Sequence, residues 1–440
     1  MGTLVVGLPP DAAVAVIEEG AVGGTCVNVG CTPTKTLVAS ARVAHMARRA
    51  GEYGVTTGEV GVDFRRVMER MDELRHGSRD GLMSMLEAKS NVTLIRGSAR
   101  FEGARVIRVG ELRIEGEFVH INVGARPRVP RIAGLDEVPW LDNAGLLDLR
   151  ELPEHLVVVG GSYVGLEFGQ MFARFGSRVT ILQSGPQIMP FEDADVAEAA
   201  RGILEREGIT IVTGAPVRSV APRGAGMAVE FGSKPTQTIE STHLLLAAGR
   251  VPNSDRLDLD AAGIRTDDRG YIEVDDQLRT NVEGVYALGD VNGQGAFTHT
   301  SVNDAEIVLD ALRGGSRKLS DRIPTYAMFI DPPLGRVGMT EKAASSKGHR
   351  VMKAVRPMSS ISRAKEMGET QGFVKLLVDA DDDMILGASI LGAGGDEVIN
   401  MFAAFMYSGL PCRRYRRAVL VHPTVSELMP WILDRLEPVA

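Results

Sequence analysis

Length, composition and charge exclude several classes of protein. The chain has 440 residues, of which 44% are hydrophobic, and a formal net charge of −8. It is long enough for two or three domains with their own cores, and its acidic balance argues against a nucleic-acid or anionic-membrane surface. No apolar run reaches the about 18 residues that span a membrane, and the first residues lack the features of a secretory signal. Three cysteines are too few for a structural disulfide framework, so we expect a protein of the reducing cytoplasm.

The first residues predict an α/β domain whose opening unit is incomplete. We expect one strand over residues 3–7 and a second over residues 14–18, which ends at Glu18. Only the six residues 8–13 separate the strands, whereas a parallel β-α-β crossover needs a dozen or more. The sequence therefore predicts that the glycine-rich turn and helix of a first dinucleotide-binding unit are absent.

Two of the three cysteines lie in residues 24–35, GTCVNVGCTPTK. Cys26 and Cys31 would project about 140° apart from an ideal helix, so a regular helix could not bridge them with a disulfide. Because Gly30 tolerates unusual dihedrals and Pro33 suits a first helical turn, we expect Cys26 on a loop and Cys31 at a helix start. The pattern indicates a redox-active dithiol, with two merely buried thiols as the alternative.

The reactivity of Cys31 depends on its charged surroundings. A helical run over residues 34–50 places Cys31 near a positive helix terminus, and Lys35 adds an ammonium group. Both would lower the pKa of the thiol and favour the thiolate, which is the form that attacks disulfides.

A second strand and helix pattern follows a proline-rich segment. An apolar strand over residues 118–123 ends at Gly124, and residues 126–130 are predicted to form a linker. We place a domain boundary near residue 148, after which a complete β-α-β pattern begins.

Residues 155–167, HLVVVGGSYVGLE, run from a strand through a glycine turn into a helix. Gly160 permits the tight turn, Gly165 permits close packing of helix on strand, and the helix N-terminus offers amide groups to a pyrophosphate. Ser162 stands at the middle glycine position, where it takes room from the phosphate while offering a hydroxyl. Because a strand at residues 179–182 follows at the right spacing, the pattern predicts a dinucleotide site.

The residue that ends this second strand, Gln183, normally selects between NADH and NADPH. An acid there would bind a ribose 2'-hydroxyl and repel a 2'-phosphate, whereas nearby arginines would hold that phosphate. Neither kind of residue occurs from Gln183 to Pro190, so the choice stays open. Gly249, in the apolar run over residues 244–250, is assigned to the same site.

The rest of the chain supplies two further candidate elements. Residues 284–290 form a short apolar strand ending in Asp290, where a ligand-binding carboxylate and a simple turn residue are about equally expected. Residues 421–427, VHPTVSE, combine the imidazole of His422 with the carboxylate of Glu427, which could orient it. Thiol exchange needs such a base with a near-neutral pKa, although a lone histidine is more often structural.

These motifs resemble the pyridine nucleotide-disulfide oxidoreductase family, which includes glutathione reductase, lipoamide dehydrogenase and mercuric reductase. The redox segment is most similar to the mercuric-reductase-like branch, and the resemblance spans nearly the whole chain. It implies an α/β fold with two Rossmann-like domains, for FAD and NAD(P), and a C-terminal α+β dimerisation domain. We assign residues 1–148 and 268–322 to an FAD-binding domain with a truncated first β-α-β unit, residues 149–267 to an NAD(P)-binding domain, and residues 323–440 to dimerisation.

The resemblance also implies catalytic roles. Cys26 becomes the thiol that exchanges with substrate, Cys31 the thiol that faces the flavin, and Lys35 a residue beside the flavin ring. Glu167 pairs with Lys35 where nicotinamide and flavin meet, although the residues alone favour an ordinary helical glutamate.

The C-terminal segment is expected to complete the site across a dimer. The run from His422 to Glu427 matches the family segment that comes from the partner subunit, which implies an obligate homodimer.

The resemblance assigns only some of the family's FAD-binding residues to positions in this chain. Glu18 matches the acid that holds the adenosine ribose, and Asp290 the aspartate that contacts the ribityl chain. The expected cleft is lined by Gly24, Thr25, Ala99 and Gly124. A deletion, an incomplete record or a loss of tight flavin binding would each explain the missing first glycine turn.

We therefore expect a homodimer that passes electrons from NAD(P)H through FAD to a Cys26–Cys31 disulfide and on to a disulfide-type substrate, with no metal. Mercury reduction is disfavoured, because the last residues lack the cysteine pair of mercuric reductases, and Cys412 is expected to be a buried structural thiol. The alternatives are a mercuric reductase-like enzyme, a non-catalytic flavin-deficient relative that binds a nicotinamide dinucleotide, and a flavin oxidase or diaphorase without thiol chemistry.

Overall fold

The computed structural model describes residues 2–439, and its first segment mixes helices with short strands. The helices are α1 (Gly2–Gly7), α2 (Gly24–Asn28), α3 (Cys31–Arg48), α4 (Phe64–Glu87) and α5 (Asn143–Leu147). The strands are β1 (Val14–Glu18), β2 (Val92–Arg96), β3 (Ala99–Gly103), β4 (Val106–Val109), β5 (Leu112–Glu115), β6 (Val119–Ile121) and β7 (Ala125–Pro127). β1 pairs in parallel with β2, and β3, β4 and β5 form an antiparallel sheet.

The predicted strand over residues 3–7 is wrong, because these residues form α1. Leu4 and Val5 are both buried, at 2% and 3% exposure, whereas Val6 is 54% exposed. Leu4 and Val5 pack into two different apolar clusters, so tertiary packing overrides the strand propensity of the valines.

The middle segment contains the complete β-α-β pattern. Its helices are α6 (Tyr163–Phe175) and α7 (Ala194–Arg206). Its strands are β8 (His155–Val159), β9 (Arg178–Leu182), β10 (Thr210–Val212), β11 (Val217–Arg223), β12 (Gly226–Phe231), β13 (Gln237–Ser241), β14 (His243–Leu246) and β15 (Arg250–Pro252). A parallel sheet has the order β10-β9-β8-β14, and β11, β12 and β13 form an antiparallel sheet. β8 is buried along its whole length, as expected for a parallel strand covered on both faces.

The connections on either side of this segment return to the first. β7 pairs with β15, so the predicted linker at residues 126–130 begins inside a strand. β16 (Val285–Ala287) then pairs in parallel with β6, and α8 (Thr298–Leu312) follows and packs against α1.

The C-terminal segment is built on one six-stranded sheet whose strands differ in length. Its strands are β17 (Thr325–Met328), β18 (Leu334–Gly338), β19 (Val351–Pro357), β20 (Phe373–Asp379), β21 (Ile385–Leu391) and β22 (Glu437–Pro438), and its helices are α9 (Glu341–Ser346), α10 (Ser362–Glu366), α11 (Gly395–Tyr407) and α12 (Cys412–Tyr415). The sheet order is β17-β18-β21-β20-β19-β22, with antiparallel neighbours. α11 packs against β18 and β21.

The largest apolar core joins all three segments. Leu37 of α3, Phe172 of α6 and Leu334 of β18 belong to the same cluster and are fully buried. This packing fixes α3, which begins with Cys31, against α6, which follows the glycine turn. Within residues 2–439, no helix is both long and apolar enough to cross a membrane.

Candidate active site

Cys26 and Cys31 are free thiols on consecutive helices. Cys31 is the first residue of α3, as expected, whereas Cys26 lies in the short helix α2 and not on a loop. The reason is that the chain after Cys26 closes a helical turn, with the Val29 amide donating to the carbonyl of Thr25. A Cβ at Gly30 would lie 2.8 Å from the same carbonyl oxygen, so glycine permits the close approach of the two helices.

The thiol pair is polarised. A hydrogen bond from Cys26 lowers the pKa of Cys31 to about 6, and the same bond raises the pKa of Cys26. Burial opposes the shift at Cys31, whereas the hydroxyl of Thr298 and the ammonium group of Lys35 add to it. At neutral pH, Cys31 is therefore a thiolate beside a protonated Cys26 thiol.

Lys35 and Glu167 form an ion pair close to the thiols. Lys35 Nζ lies 2.7 Å from Glu167 Oε2, and the carboxylate side chain is only 4% exposed. Glu167 Oε1 accepts the amide hydrogen of Phe329, and Lys35 Nζ lies 4.5 Å from the centroid of the Phe329 ring. α3, α6 and the C-terminal segment thus meet at this pair, which holds the Lys35 charge in place.

The glycine turn after β8 is as tight as the sequence predicts. A Cβ at Gly160 would lie 2.3 Å from the carbonyl oxygen of Ala247, and one at Gly165 would lie 2.0 Å from the carbonyl oxygen of Gly160. Neither position admits a side chain without moving backbone. Ser162 is the N-cap of α6, and its side chain makes no capping bond, so its hydroxyl is not used to close the helix.

Gln183 and Gly249 lie at the carboxyl edge of the same sheet. Gln183 follows β9 directly, and its Oε1 accepts the amide hydrogen of Gly161 at 2.9 Å. Gly249 follows β14 with a left-handed φ of 106°. Both therefore border the face where a dinucleotide would lie in a parallel α/β sheet.

Part of the chain fits the ring and ribityl end of FAD. Asp290 is mostly buried, which raises its pKa, and its Oδ2 lies 3.8 Å from Nε of Arg250. That Nε is buried and makes no hydrogen bond in the structure. Gly24 and Gly124 have left-handed φ values, and a Cβ on either would meet nothing within 4 Å. Both the open backbone and the buried unpaired polar group suit a flat, polar cofactor.

The residues expected to bind the adenosine end of FAD form a less complete site. Glu18 ends β1, and its Oε1 accepts the amide hydrogen of Gly20. Thr25 is exposed on α2, whereas Ala99 begins β3 and packs against an apolar cluster. The six residues 8–13 between α1 and β1 contain no glycine-rich turn, so we assign no residue to the pyrophosphate.

His422 and Glu427 pair with each other away from the thiols. His422 Nδ1 lies 2.7 Å from Glu427 Oε2, and the two side chains are 77% and 10% exposed. Among residues 2–439, no hydrogen bond joins His422 to either cysteine of the pair. The neighbouring Val419 and Val421 are 98% and 76% exposed, so this segment presents apolar surface as well as an imidazole.

Sequence reasoning missed Thr298 and Tyr163. Thr298 Oγ1 lies 3.4 Å from Cys31 Sγ, although 267 positions separate the two residues. Tyr163 is buried, which raises its pKa, and its ring lies 5.8 Å from that of Phe297. Tyr163 lies inside the glycine-turn motif, directly after Ser162. For Thr298 the only available signal was its position on the crossover after Asp290.

A carboxylate cluster elsewhere has the spacing of a metal site. Asp193, Asp195 and Glu341 bring one ligand atom each within 4.8 Å of one another. However, the buried ammonium group of Lys375 lies 3.0, 2.6 and 2.6 Å from these three carboxylates. A single lysine therefore pairs with all three carboxylates. Cys412 is buried, and its thiol donates to Asp383.

Fold and site together define a dinucleotide-dependent dithiol oxidoreductase. Residues 9–305 match the family Pyridine nucleotide-disulphide oxidoreductase, and residues 324–433 match its dimerisation domain. The chain therefore belongs to the pyridine nucleotide-disulfide oxidoreductase family. Its members are flavoprotein enzymes that use FAD and NAD(P)H, and the dimerisation domain supports a homodimer.

Individual relatives agree with this assignment. The chain is 38% identical over 424 residues to the probable pyridine nucleotide-disulfide oxidoreductase RclA of Escherichia coli, covering 94% of this chain and 91% of the relative. It is 32% identical to a mercuric reductase of Lysinibacillus sphaericus, covering 94% of this chain and 77% of that enzyme. It is 31% identical to a dihydrolipoyl dehydrogenase of Geobacillus stearothermophilus, covering 97% and 94%.

Solved structures extend the likeness to the fold. The HOCl-induced flavoprotein disulfide reductase RclA from Escherichia coli superimposes with a TM-score of 0.87 at 36% identity, covering 99% of this chain and 96% of that one. The expected fold class and family are confirmed.

Proposed function

We propose that this protein is a disulfide reductase whose Cys26–Cys31 pair carries electrons from NAD(P)H and FAD to a disulfide substrate. The observation that carries the proposal is the polarised thiol pair, in which Cys31 is the thiolate and Cys26 the protonated thiol. The geometry agrees with this difference, because Cys31 begins α3 with Thr298 Oγ1 3.4 Å from its sulfur, whereas Cys26 lies within α2. FAD, when bound, would supply the two-electron chemistry that opens the disulfide, with Lys35, Asp290 and the open backbone at Gly24 and Gly124 as its contacts.

The raised pKa of Cys26 explains why the site needs a base. Cys26 must lose its proton before it attacks a disulfide, since the thiolate is the nucleophile. We assign this proton transfer to His422 of the partner subunit, oriented by Glu427. The exposure of His422 and of the apolar residues beside it supports a role at a subunit interface.

The exchange then proceeds in two balanced steps. The Cys26 thiolate attacks one sulfur of the substrate, forms a mixed disulfide and releases the other half as a thiolate, which takes the proton held by His422. The Cys31 thiolate next attacks the Cys26 sulfur, forms the Cys26–Cys31 disulfide and releases the second half of the substrate. The low pKa of Cys31 keeps it ready for this step without a base of its own.

The remaining assignments follow the same proposal. We propose an FAD-binding domain at residues 1–148 and 268–322, an NAD(P)-binding domain at 149–267 and a dimerisation domain at 323–440. Gly160, Ser162, Gly165, Gln183 and Gly249 would contact the nicotinamide dinucleotide. The small number of cysteines and the need for NAD(P)H support a cytoplasmic location.

Cysteine variants test the proposal against its alternatives. NAD(P)H-dependent reduction of a panel of disulfides is measured beside reduction of ferricyanide, which needs flavin but no thiol. Cys26→Ser and Cys31→Ser should lose disulfide reduction by about 100-fold or more while ferricyanide reduction continues, and the Cys412→Ser control should keep both. If Cys26→Ser retains disulfide turnover, the protein is a diaphorase without thiol chemistry. If neither acceptor is reduced by the unchanged protein, the non-catalytic alternative holds.

A further inference from the structure

A threonine from a distant part of the chain contacts the dithiol. Thr298 is the first residue of the 15-residue helix α8, and its Oγ1 lies 3.4 Å from the sulfur of Cys31. A hydroxyl that faces a thiolate donates its hydrogen, because the anion has none to offer. Cys31 thus has one hydrogen-bond donor on α2, which is Cys26, and a second on α8.

The position of Thr298 is fixed by its neighbours. Phe297 is the N-cap of α8, and its amide and carbonyl both bond to the hydroxyl of Thr300, at 3.2 and 2.7 Å. The Phe297 ring lies parallel to that of Tyr326, with centroids 5.6 Å apart. The Tyr326 hydroxyl in turn donates to the buried carboxylate of Glu192. The position of Thr298 is therefore fixed by the first turn of α8 and by the stacking of the Phe297 ring on Tyr326.

The other groups that face Cys31 cannot replace this hydroxyl. Lys35 acts on the thiolate through its charge, but its ammonium group is bonded to Glu167. Tyr163 keeps its proton, because burial raises its pKa, but it makes no hydrogen bond to Cys31 among the described residues. Cys26 donates only while it keeps its proton, which it loses when it attacks substrate. At that stage Thr298 is the remaining hydroxyl donor to Cys31 among the described residues.

We propose that Thr298 is a positioning residue that holds Cys31 as the thiolate by donating a hydrogen bond from its hydroxyl. In the Cys26–Cys31 disulfide, Cys31 carries no charge, so this bond favours the reduced pair over the oxidised one. The inference rests on the proposed role of Cys31 in the dithiol. Its test needs neither flavin nor nicotinamide, so failure of this inference and failure of the proposed function are distinguishable.

The test is the pH dependence of Cys31 alkylation in the fully reduced protein. Iodoacetamide modification of Cys31 is followed by mass spectrometry from pH 5 to 9 in the unchanged protein and in Thr298→Val, Thr298→Ser and Thr32→Val. Thr298→Val keeps the shape of the side chain and removes the donor, and Thr298→Ser keeps the donor. Thr32→Val is the matched control, because Thr32 follows Cys31 in the chain but makes no hydrogen bond to it in the structure.

The inference predicts that Thr298→Val moves the midpoint of the Cys31 profile about one pH unit upward. Thr298→Ser should restore the midpoint, and Thr32→Val should leave it unchanged. A Thr298→Val midpoint within about 0.2 units of the unchanged protein would overturn the inference. An equal upward shift in Thr32→Val would overturn it too, because the effect would then come from helix disruption. If Thr298→Val does not fold, failure of Thr298→Ser to keep the original midpoint is the contradicting result.

Discussion

At the residue scale, the hydrogen bond between Cys26 and Cys31 gives these two identical side chains different protonation states. It gives Cys31 the charge and leaves the proton on Cys26. The same asymmetry separates a thiol that needs a base from one that does not. It also makes the charge of Lys35 measurable through the titration of Cys31.

We predict that replacing Lys35 with methionine raises the pKa of Cys31, because the nearest positive charge is lost. The single variant also leaves the buried carboxylate of Glu167 without its ion pair, which costs about 3 kcal/mol or more of stability. The double variant Lys35→Met with Glu167→Gln removes that burial penalty. Alkylation profiles should shift upward in both variants, whereas thermal stability should fall mainly in the single one. An unshifted profile in the double variant would show that the charge of Lys35 does not act on the thiol.

The thiolate also links stability to pH. The folded-state pKa of Cys31, about 6, lies below the about 8.5 of an unfolded cysteine. The resulting stabilisation is fully present above the unfolded value and is lost as pH falls through the folded one. Between about pH 8.5 and pH 6, the urea midpoint of the reduced protein should therefore fall relative to that of Cys31→Ser. Parallel pH curves for the two proteins would contradict the lowered pKa.

At the scale of elements, the dithiol depends on how closely α2 and α3 approach. Gly30→Ala would place a Cβ 2.8 Å from the Thr25 carbonyl oxygen, and backbone must move to relieve the clash. We predict a loss of about 1–3 kcal/mol in urea unfolding and slower formation of the Cys26–Cys31 disulfide. Gly51→Ala is the control, because a Cβ at Gly51 meets nothing within 4 Å. Equal stability of the two variants would contradict the close approach.

The sequence predicted elements well where a short pattern determines them. The turn at Gly160, the strand β9 and the start of α3 at Cys31 each follow from local chemistry that a few residues carry. The strand predicted at residues 3–7 is wrong, because the burial of Leu4 and Val5 depends on elements far along the chain.

Local sequence patterns do not predict the contacts that complete the site. Thr298 contacts Cys31 although 267 positions separate them, and no spacing in the sequence predicts that contact. The sequence predicts Cys26 on a loop, and local patterns do not show the bond from the Val29 amide to the Thr25 carbonyl that closes α2.

At the scale of the whole molecule, no hydrogen bond joins the proposed base His422 to Cys26 or Cys31 among the described residues of one chain. We predict that two inactive variants complement each other when their dimers are mixed. In a heterodimer of Cys26→Ser and His422→Ala, one site combines an intact thiol pair with an intact histidine, and the other site has neither. Statistical mixing should restore about one quarter of the original disulfide reductase activity. No recovery, with exchange of subunits verified by mass spectrometry, would contradict the shared site.

The central claim is that electrons from NAD(P)H reach the Cys26–Cys31 pair. It is tested most directly by anaerobic titration of the air-oxidised protein with NAD(P)H, following flavin absorbance and reactive thiols together. The account predicts that the first equivalent exposes two thiols, at Cys26 and Cys31, and that further reductant bleaches the flavin, while Cys412 stays protected by burial. A protein that contains no flavin, or whose flavin is bleached without any gain in thiols, would contradict the account.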